Sequence, residues 1–174
     1  MKQPTIVPTG VERTFGEDEI IVSKTDLKGI ITYANRTFLN VAMYTEAELL
    51  GQPHSIIRHP DMPRCVFKLL WDTLESGHEI FAYVKNMAKN GAYYWVFAHV
   101  TPTFDRSNRI VGYHSNRRKP DRHQTQAAEA LYRKLKQEEA RHSDWKKGMA
   151  SATEMMLQTV SSKHMEYDEF VLSI

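Results

Sequence analysis

The sequence contains little cysteine and no long apolar run. Its one cysteine, Cys65, excludes an internal disulfide and a cysteine-rich metal site. No stretch approaches the length of a membrane span, and residues 1–10 lack the apolar core of a signal peptide. We therefore expect a cytoplasmic protein that does not itself span a membrane.

Neither sign of charge is in excess. The 23 lysines and arginines nearly balance the 21 aspartates and glutamates, which leaves a formal net charge of +2. So small a charge does not favour nucleic acid as a partner. The eight histidines show no spacing typical of a metal site, so the sequence predicts no bound metal ion.

The composition is that of a globular domain with an appendage. Hydrophobic residues make up 41% of the chain and charged residues 25%, which is ordinary for a folded protein in water. A chain of 174 residues can hold one domain with its own core and an additional segment. Because the composition shifts after Pro120, we predict a lead-in at 1–19, a main domain at 20–118 and a helical segment at 119–174.

Residues 51–77 carry the most unusual chemistry. Four polar side chains precede a strongly amphipathic segment: His54, Arg58, His59 and Asp61. Three prolines favour a loop or broken helix up to Asp61, because proline lacks a backbone donor and restricts the residue before it. A helix should follow, with Asp61 as its N-cap and Gly77 just after its end.

The predicted helix is apolar on two sides. One apolar stripe contains Met62, Val66, Leu69, Leu70, Thr73 and Leu74, and the other contains Phe67, Trp71 and Leu74. One stripe can pack on the core. The other needs either a second protein layer or a flat apolar ligand, and the polar side chains beside it shift the balance towards the ligand.

Short strands and turns make up most of the main domain. The predicted strands cover 20–23, 30–33, 80–85, 93–103 and 109–116. The first two form a hairpin, turns separate the last three, and short helices lie between these groups. This order predicts an α+β fold with a five-stranded antiparallel sheet and helices on one face.

Two amphipathic helices are predicted after the sheet, at 124–142 and 145–160. The last residues, 167–174, are rich in large apolar side chains, which is unusual for a free tail, so we expect them to dock on the protein. The two helices form a helical hairpin on the domain, a contact surface for a receptor, or a surface for a homodimer.

Seven short motifs together resemble a PAS domain, and more narrowly the flavin-binding PAS domain of bacterial aerotaxis receptors. They are residues 32–38 (TYANRTF), 50–54 (LGQPH), 58–63 (RHPDMP), Trp71, 84–86 (VKN), 89–91 (KNG) and 93–96 (YYWV). The RHPDMP motif followed by a tryptophan on the next helix is specific. The resemblance covers roughly 20–118 and implies the PAS fold, with additional helices at the C-terminus.

The resemblance also implies a cofactor and a function. In that family the domain holds FAD non-covalently and reports its redox state to a chemotaxis signalling module, so we expect a sensor and not an enzyme. The family's cofactor-binding positions correspond here to Arg58, His59, Asp61 and Trp71. Its asparagines near the flavin correspond to Asn35 and Asn86.

The resemblance further implies a partner. The family's receptors continue into a membrane anchor, a HAMP module and a signalling coiled coil, for which this sequence has no counterpart. The sequence is therefore more similar to the short PAS proteins of bipartite energy-taxis systems. In those systems a separate membrane-bound chemoreceptor carries the HAMP and signalling modules.

The residue types suit a flavin. Its isoalloxazine ring is flat and mostly apolar, with hydrogen-bonding groups at its rim. The side chains that can form an apolar slot are Phe38, Phe67, Trp71, and Tyr93 or Trp95. Asn35 and Asn86 can donate and accept at the ring edge. Arg58 suits the pyrophosphate of FAD, with His59 or His54 assisting.

Simpler roles and other cofactors remain as alternatives. Asn35 and Asp61 could serve as helix caps, and Trp71 could belong to the core. Arg58 could form a surface ion pair with Asp61 or Glu48, and His59 could only cap backbone groups. Cys65 raises the possibility of light-sensing FMN chemistry, and His78 is the nearest candidate for a haem ligand. A flavoenzyme and a PAS scaffold without a cofactor complete the alternatives.

Overall fold

The computed structural model describes residues 6–174, so the first five positions of the predicted lead-in lie outside the described residues. The strands are β1 (Ile21–Thr25), β2 (Ile31–Ala34), β3 (Ile80–Met87), β4 (Tyr93–Phe104) and β5 (Ile110–Arg118). The helices are α1 (Arg36–Ala42), α2 (Glu46–Leu49), α3 (Arg64–Glu75), α4 (Arg122–Ala140), α5 (Trp145–Ser161) and α6 (Tyr167–Leu172). One turn of 3-10 helix covers His54–Ile57.

The strands form one antiparallel sheet in the order β2-β1-β5-β4-β3. The predicted α+β fold with a five-stranded antiparallel sheet is therefore confirmed. The turn between β3 and β4 depends on Gly91, which has a φ of 85°. A Cβ atom there would also lie 2.2 Å from the Val7 carbonyl oxygen, so both backbone conformation and space require glycine.

The two faces of the sheet have different neighbours. Side chains alternate between the faces along a strand, so Asn86 points towards α3 whereas Lys85 points to the opposite face. Helix α4 lies beside β3 on that opposite face, where the Tyr132 hydroxyl donates to the Tyr83 carbonyl oxygen at 2.6 Å. The Trp95 ring stacks near the Tyr132 ring, with 6.3 Å between centroids.

The C-terminal helices form a packed unit. Asp144 caps α5, because its carboxylate accepts a hydrogen bond from the Lys146 backbone at 2.8 Å. Gly148 lets α5 approach α4 closely, since a Cβ there would lie 2.3 Å from the Glu139 carbonyl oxygen. The predicted docking of the tail is confirmed, with Phe170 buried in the core. In residues 6–174 no helix has both the length and the apolar character needed to cross a membrane.

The start of α3 differs from the sequence prediction. The helix begins at Arg64 with Pro63 as N-cap, so the prediction of Asp61 as N-cap was wrong. Met62 precedes a proline, which disfavours helical geometry at Met62 and prevents an earlier start. The Asp61 carboxylate instead lies 2.8 Å from the Lys85 ammonium group.

Candidate functional site

A cavity of about 310 Å³ lies between α3, the 3-10 turn and the inner face of the sheet. The lining includes five of the eleven side chains that the sequence predicted to bind the cofactor: His54, Arg58, Phe67, Trp71 and Asn86. The other lining residues are Ser23, Thr25, Lys28, Pro53, Ser55, Leu70, Leu74, Val84, Ala98, Val100, Tyr113, Ser115 and Arg117. The cavity therefore combines an apolar wall with a polar end.

The apolar wall is the second stripe of α3. Phe67 and Trp71 are only partly buried, because they face the cavity and not another protein layer. The Trp71 ring meets the Tyr113 ring edge to face, with 5.4 Å between centroids. Gly29 lies against this indole, and a Cβ there would be 3.1 Å from Trp71 Cη2. Trp71 is thus held in place by β5 and by the turn between β1 and β2.

The polar end consists of Ser23, His54 and Arg117. One guanidinium nitrogen of Arg117, Nη2, donates to Ser23 Oγ at 2.5 Å. The same hydroxyl oxygen lies 3.3 Å from His54 Nε2. Beneath them is the buried Phe38 ring, with Arg117 Cζ 4.4 Å from its centroid. Three elements, β1, β5 and the 3-10 turn, therefore bring these side chains together.

Arg117 carries a charge that pairs with no carboxylate of residues 6–174. The residue is only 2% exposed, and its Nε and Nη1 atoms have no hydrogen-bond partner among residues 6–174. Burial lowers the pKa of the guanidinium to about 10, which still leaves it charged at neutral pH. Burial and the charge of Arg117 lower the pKa of His54 to about 3, so that imidazole is neutral. The polar end thus offers donors to a ligand with acceptor atoms.

Two further cations lie at the cavity. Lys28 is exposed, and Arg58 is partly buried with its Cζ 4.0 Å from the centroid of the Phe67 ring. The backbone of Arg58 forms an isolated antiparallel bridge with Asn86 on edge strand β3. This bridge fixes the loop after the 3-10 turn against the strand that carries Asn86.

Two of the predicted residues support the cavity from outside its lining. The Asn35 carboxamide oxygen accepts hydrogen bonds from the backbones of Phe38 and Val22, each at 3.0 Å, and its NH₂ group donates to the Ile20 carbonyl oxygen at 2.8 Å. Asn35 therefore caps α1 and ties it to β1. Phe38 is fully buried, with its ring centroid 6.0 Å from that of His54.

The other four predicted residues lie around Lys85, on the opposite face of the sheet. They are His59, Asp61, Tyr93 and Trp95. The Lys85 ammonium group lies 4.5 Å from the centroid of the Tyr93 ring and 6.0 Å from that of Trp95. The His59 and Tyr93 centroids are 6.1 Å apart. Because β4 alternates its side chains between faces, Tyr93 and Trp95 point away from the cavity.

Lys85 forms ion pairs with two carboxylates. Its Nζ atom lies 2.8 Å from Asp61 Oδ2 and 3.3 Å from Glu129 Oε1 of α4. Burial opposes the charge on Lys85, but Asp61 and Glu129 outweigh this effect and raise the pKa of the ammonium group. Burial likewise opposes ionisation of Asp61, but Lys85 lowers the pKa of its carboxyl. This cluster connects the loop before α3 to the C-terminal helices.

Sequence reasoning missed Arg117, Ser23 and Tyr113. A signal for two of them was present, because Tyr113, Ser115 and Arg117 occupy alternate positions of β5 and so share a face. An arginine at an inward position of a central strand is unusual enough to indicate a ligand site. Ser23 carries no comparable signal.

Two residues considered for other cofactors lie elsewhere. Cys65 is fully buried, and its backbone donates to Glu139 Oε1 at 2.9 Å. Burial, with Glu139 adding to it, raises the pKa of the Cys65 thiol to about 12. His78 is exposed after α3, with its Nδ1 atom 3.0 Å from Ser76 Oγ. Neither residue lines the cavity.

The antiparallel sheet that closes over a helix-lined cavity defines a PAS-like fold, which LOV domains share. The chain is similar in fold to the dark structure of the blue-light photoreceptor Aureochrome1 LOV, with a TM-score of 0.56 and 23% sequence identity. The superposition covers 62% of this chain and 80% of that one. Residues 31–117 match the PAS fold family, and this chain belongs to it.

The chain's relatives are regulatory and receptor proteins. It is 44% identical over 119 residues to the aerotaxis receptor of Escherichia coli (strain K12), a match that covers 68% of this chain and 23% of the receptor. It is 29% identical to the nitrogen fixation regulatory protein of Klebsiella pneumoniae, over 54% of this chain and 19% of that protein. Its PAS region is of the aerotaxis receptor type, and the chain spans about a quarter or less of these relatives.

Proposed function

We propose that this chain is a cytoplasmic redox sensor that binds FAD non-covalently in the cavity and serves aerotaxis or energy taxis. The observation that carries the proposal is the cavity, in which the aromatic wall of α3 faces a sheet with polar side chains. This arrangement suits a flat apolar ring with a polar edge. The similarity to the aerotaxis receptor of E. coli supports the role in taxis.

Different cavity residues contact different parts of a bound flavin. Phe67 and Trp71 supply apolar contacts to the ring, and Asn86 and His54 supply hydrogen bonds at its edge. The volume of about 310 Å³ is near the lower end of the range for ligand pockets, which is roughly 300–1,000 Å³. It suits the ring system better than the whole dinucleotide. When bound, the flavin would supply a centre that is reversibly reduced by two electrons.

The phosphates of FAD need cations close to this cavity. Arg58 and Lys28 both line it, and a guanidinium can bind a phosphate through two parallel hydrogen bonds. Arg58 packs on Phe67, so the same side chain lies next to the ring wall and the solvent. These cations favour a phosphorylated flavin over riboflavin, and the relatedness to aerotaxis receptors favours FAD over FMN.

The redox signal passes from the cavity to the C-terminal helices through β3. A change in hydrogen bonding at Asn86 moves the strand, and Lys85 passes the movement to Glu129 on α4. Helices α4 and α5 then present an altered surface to a membrane-bound chemoreceptor with HAMP and signalling modules. Homodimer formation through the same helices is the alternative, and sedimentation of the oxidised and reduced protein distinguishes the two.

The absorbance spectrum of the purified protein tests the cofactor. We expect two flavin bands, and FAD as the mass of the compound released on denaturation. Ala98→Leu fills the cavity from β4 and should lose most of the flavin, whereas Ala127→Leu on the exposed side of α4 should keep it. A folded wild-type protein that stays colourless and does not bind added FAD would disprove the proposal.

The same spectrum separates the remaining cofactors. A Soret band would indicate haem, and released FMN would indicate a light-sensing type. A flavoenzyme would oxidise a reduced nicotinamide or a dye with many turnovers per flavin, whereas a sensor should complete about one. Each of these results would replace the proposed function with a different one.

A further inference from the structure

The charge balance of the cavity is one-sided. The ionisable side chains that line it are Lys28, His54, Arg58, Tyr113 and Arg117, and no aspartate or glutamate of residues 6–174 is among the lining residues. Arg117 is the most buried of the cations, and two of its nitrogen atoms lack a partner. Burial of an unpaired charge is costly. The fold keeps this charge in the cavity lining although no carboxylate of the described residues lines the cavity with it.

The neighbours of Arg117 are neutral. Ser23 on β1 accepts one of its hydrogen bonds, and Phe38 on α1 lies beneath it. His54 on the 3-10 turn has a pKa lowered to about 3, and burial raises the pKa of Tyr94 on β4. Between pH 5 and 8 neither group changes its charge. These neighbours therefore supply no negative charge to pair with Arg117 in that pH range.

We propose that Arg117 determines which redox form of the flavin the cavity prefers, by binding the negatively charged reduced ring more tightly than the neutral oxidised ring. The inference rests on the proposed function, and it goes further by assigning the redox preference to one residue. A fixed positive charge beside the ring stabilises the form that carries negative charge. The same charge is costly while the cavity holds no anion.

The reduced flavin ring supplies the negative charge that pairs with Arg117. Two electrons and one proton added to the oxidised ring leave one negative charge on its pyrimidine edge. The electrons come from a reduced electron carrier such as a nicotinamide or a quinol in the cell, and from dithionite in the experiment. The proton comes from water. Pairing with Arg117 disfavours a second proton, which would neutralise the ring.

The test compares neutral and charged substitutions in the flavin-loaded protein. Arg117→Gln removes the charge, Arg117→Lys keeps it, and Arg118→Gln removes an exposed charge from the next position of β5. For Arg117→Gln we expect at least a tenfold loss in the preference for the reduced ring, which lowers the midpoint potential by about 30 mV or more. Arg117→Lys and Arg118→Gln should stay within threefold of wild type.

The pH dependence of the potential gives a second readout. Uptake of one proton with two electrons changes the potential by about 30 mV for each tenfold change in proton concentration, and uptake of two protons by twice that. As the pH is lowered, the potential of Arg117→Gln should change from the one-proton slope to the two-proton slope first. Wild type should make this change at a lower pH, because Arg117 disfavours the second proton. If Arg117→Gln does not fold, Arg117→Met serves as the neutral variant.

The results separate this inference from the proposed function. If Arg117→Gln weakens both forms of the flavin equally and leaves the potential and slope unchanged, the inference is wrong while flavin binding stands. If wild type binds no flavin, the proposed function itself fails. A lower potential in Arg117→Gln with normal Arg117→Lys supports the inference.

Discussion

Asn86 and Lys85 are neighbours on β3 whose side chains leave the strand on opposite faces. Asn86 lines the cavity, and Lys85 lies 2.8 Å from Asp61 and 3.3 Å from Glu129. Helix α4 packs on the face of β3 that carries Lys85, where the Tyr132 hydroxyl donates to the Tyr83 carbonyl oxygen. This pair thus places a residue that lines the cavity next to a residue that contacts α4.

Asn86→Ala should uncouple the cavity from α4 without emptying it. The substitution removes one amide from the ring edge, but the wall of α3 and the cations at the cavity remain. We expect flavin affinity to fall less than about tenfold, the loss expected for one neutral hydrogen bond. Hydrogen exchange of the α4 amides should differ between oxidised and reduced wild type, and this difference should vanish in the variant.

The matched control for that experiment is Asn90→Ala. Asn90 lies in the turn after β3, where its carboxamide oxygen accepts from the Ala92 backbone at 3.1 Å, and it does not line the cavity. Its variant should retain the redox-dependent exchange of α4. An unaltered redox response in Asn86→Ala would exclude Asn86 as the coupling residue.

The ion pairs of Lys85 should contribute to stability in a non-additive way. Asp61→Asn or Glu129→Gln alone should cost less than about 1 kcal/mol, because each carboxylate is exposed to water and leaves the other in place. The double variant leaves the buried ammonium unpaired and should cost about 2 kcal/mol. Urea unfolding of wild type, the two single variants and the double variant measures these costs. If the cost of the double variant equalled the sum of the single costs, the two ion pairs would not be coupled through Lys85.

The pH dependence of these costs follows from the pKa shifts. The Asp61 pKa is lowered in the folded state, so its contribution is present above the unfolded value of 3.8 and is lost as pH falls through the folded value. The Lys85 pKa is raised, so its contribution is present below 10.5 and is lost at higher pH. The cost of the double variant should therefore be constant between about pH 5 and 9.

The fold could be predicted from the sequence because its signals are local. Alternation within strands, glycine at the turns and two apolar stripes on α3 are read from neighbouring residues. The N-terminus of α3 was misplaced because two local signals compete there. Asp61 is a good capping residue, but Pro63 excludes Met62 from the helix, and the proline decides.

The site was harder to predict because it depends on register between distant strands. The resemblance brought together motif residues that the sheet divides between its faces, such as Trp71 in the cavity and Trp95 outside it. Arg117 joins Ser23 only through the pairing of β1 with β5. The side chain that completes the polar end thus comes from a strand outside all seven motifs.

Arg58→Gln should weaken phosphorylated flavins selectively. If the guanidinium binds phosphate, its loss should cost FAD and FMN about ten- to a hundredfold in affinity, the value of a charge-assisted hydrogen bond. Riboflavin, which has no phosphate, should change less than threefold. Titration of the apoprotein with the three flavins measures this, and Arg64→Gln at the exposed start of α3 is the control. Equal weakening of all three would assign Arg58 to packing on Phe67.

Arg117→Met should make the ligand-free protein more stable. Two nitrogen atoms of the buried guanidinium have no hydrogen-bond partner among residues 6–174, and an apolar side chain of similar length removes the desolvation cost of the charge. The gain is offset by the lost hydrogen bond to Ser23 and the lost contact with the Phe38 ring. We expect a net increase of about 1–2 kcal/mol in the free energy of unfolding, measured by urea at pH 7. Arg118→Met, at an exposed position, should change it by less than about 0.5 kcal/mol. A less stable Arg117→Met apoprotein would mean that Arg117 contributes to the core, and the charge would then need no ligand to explain it.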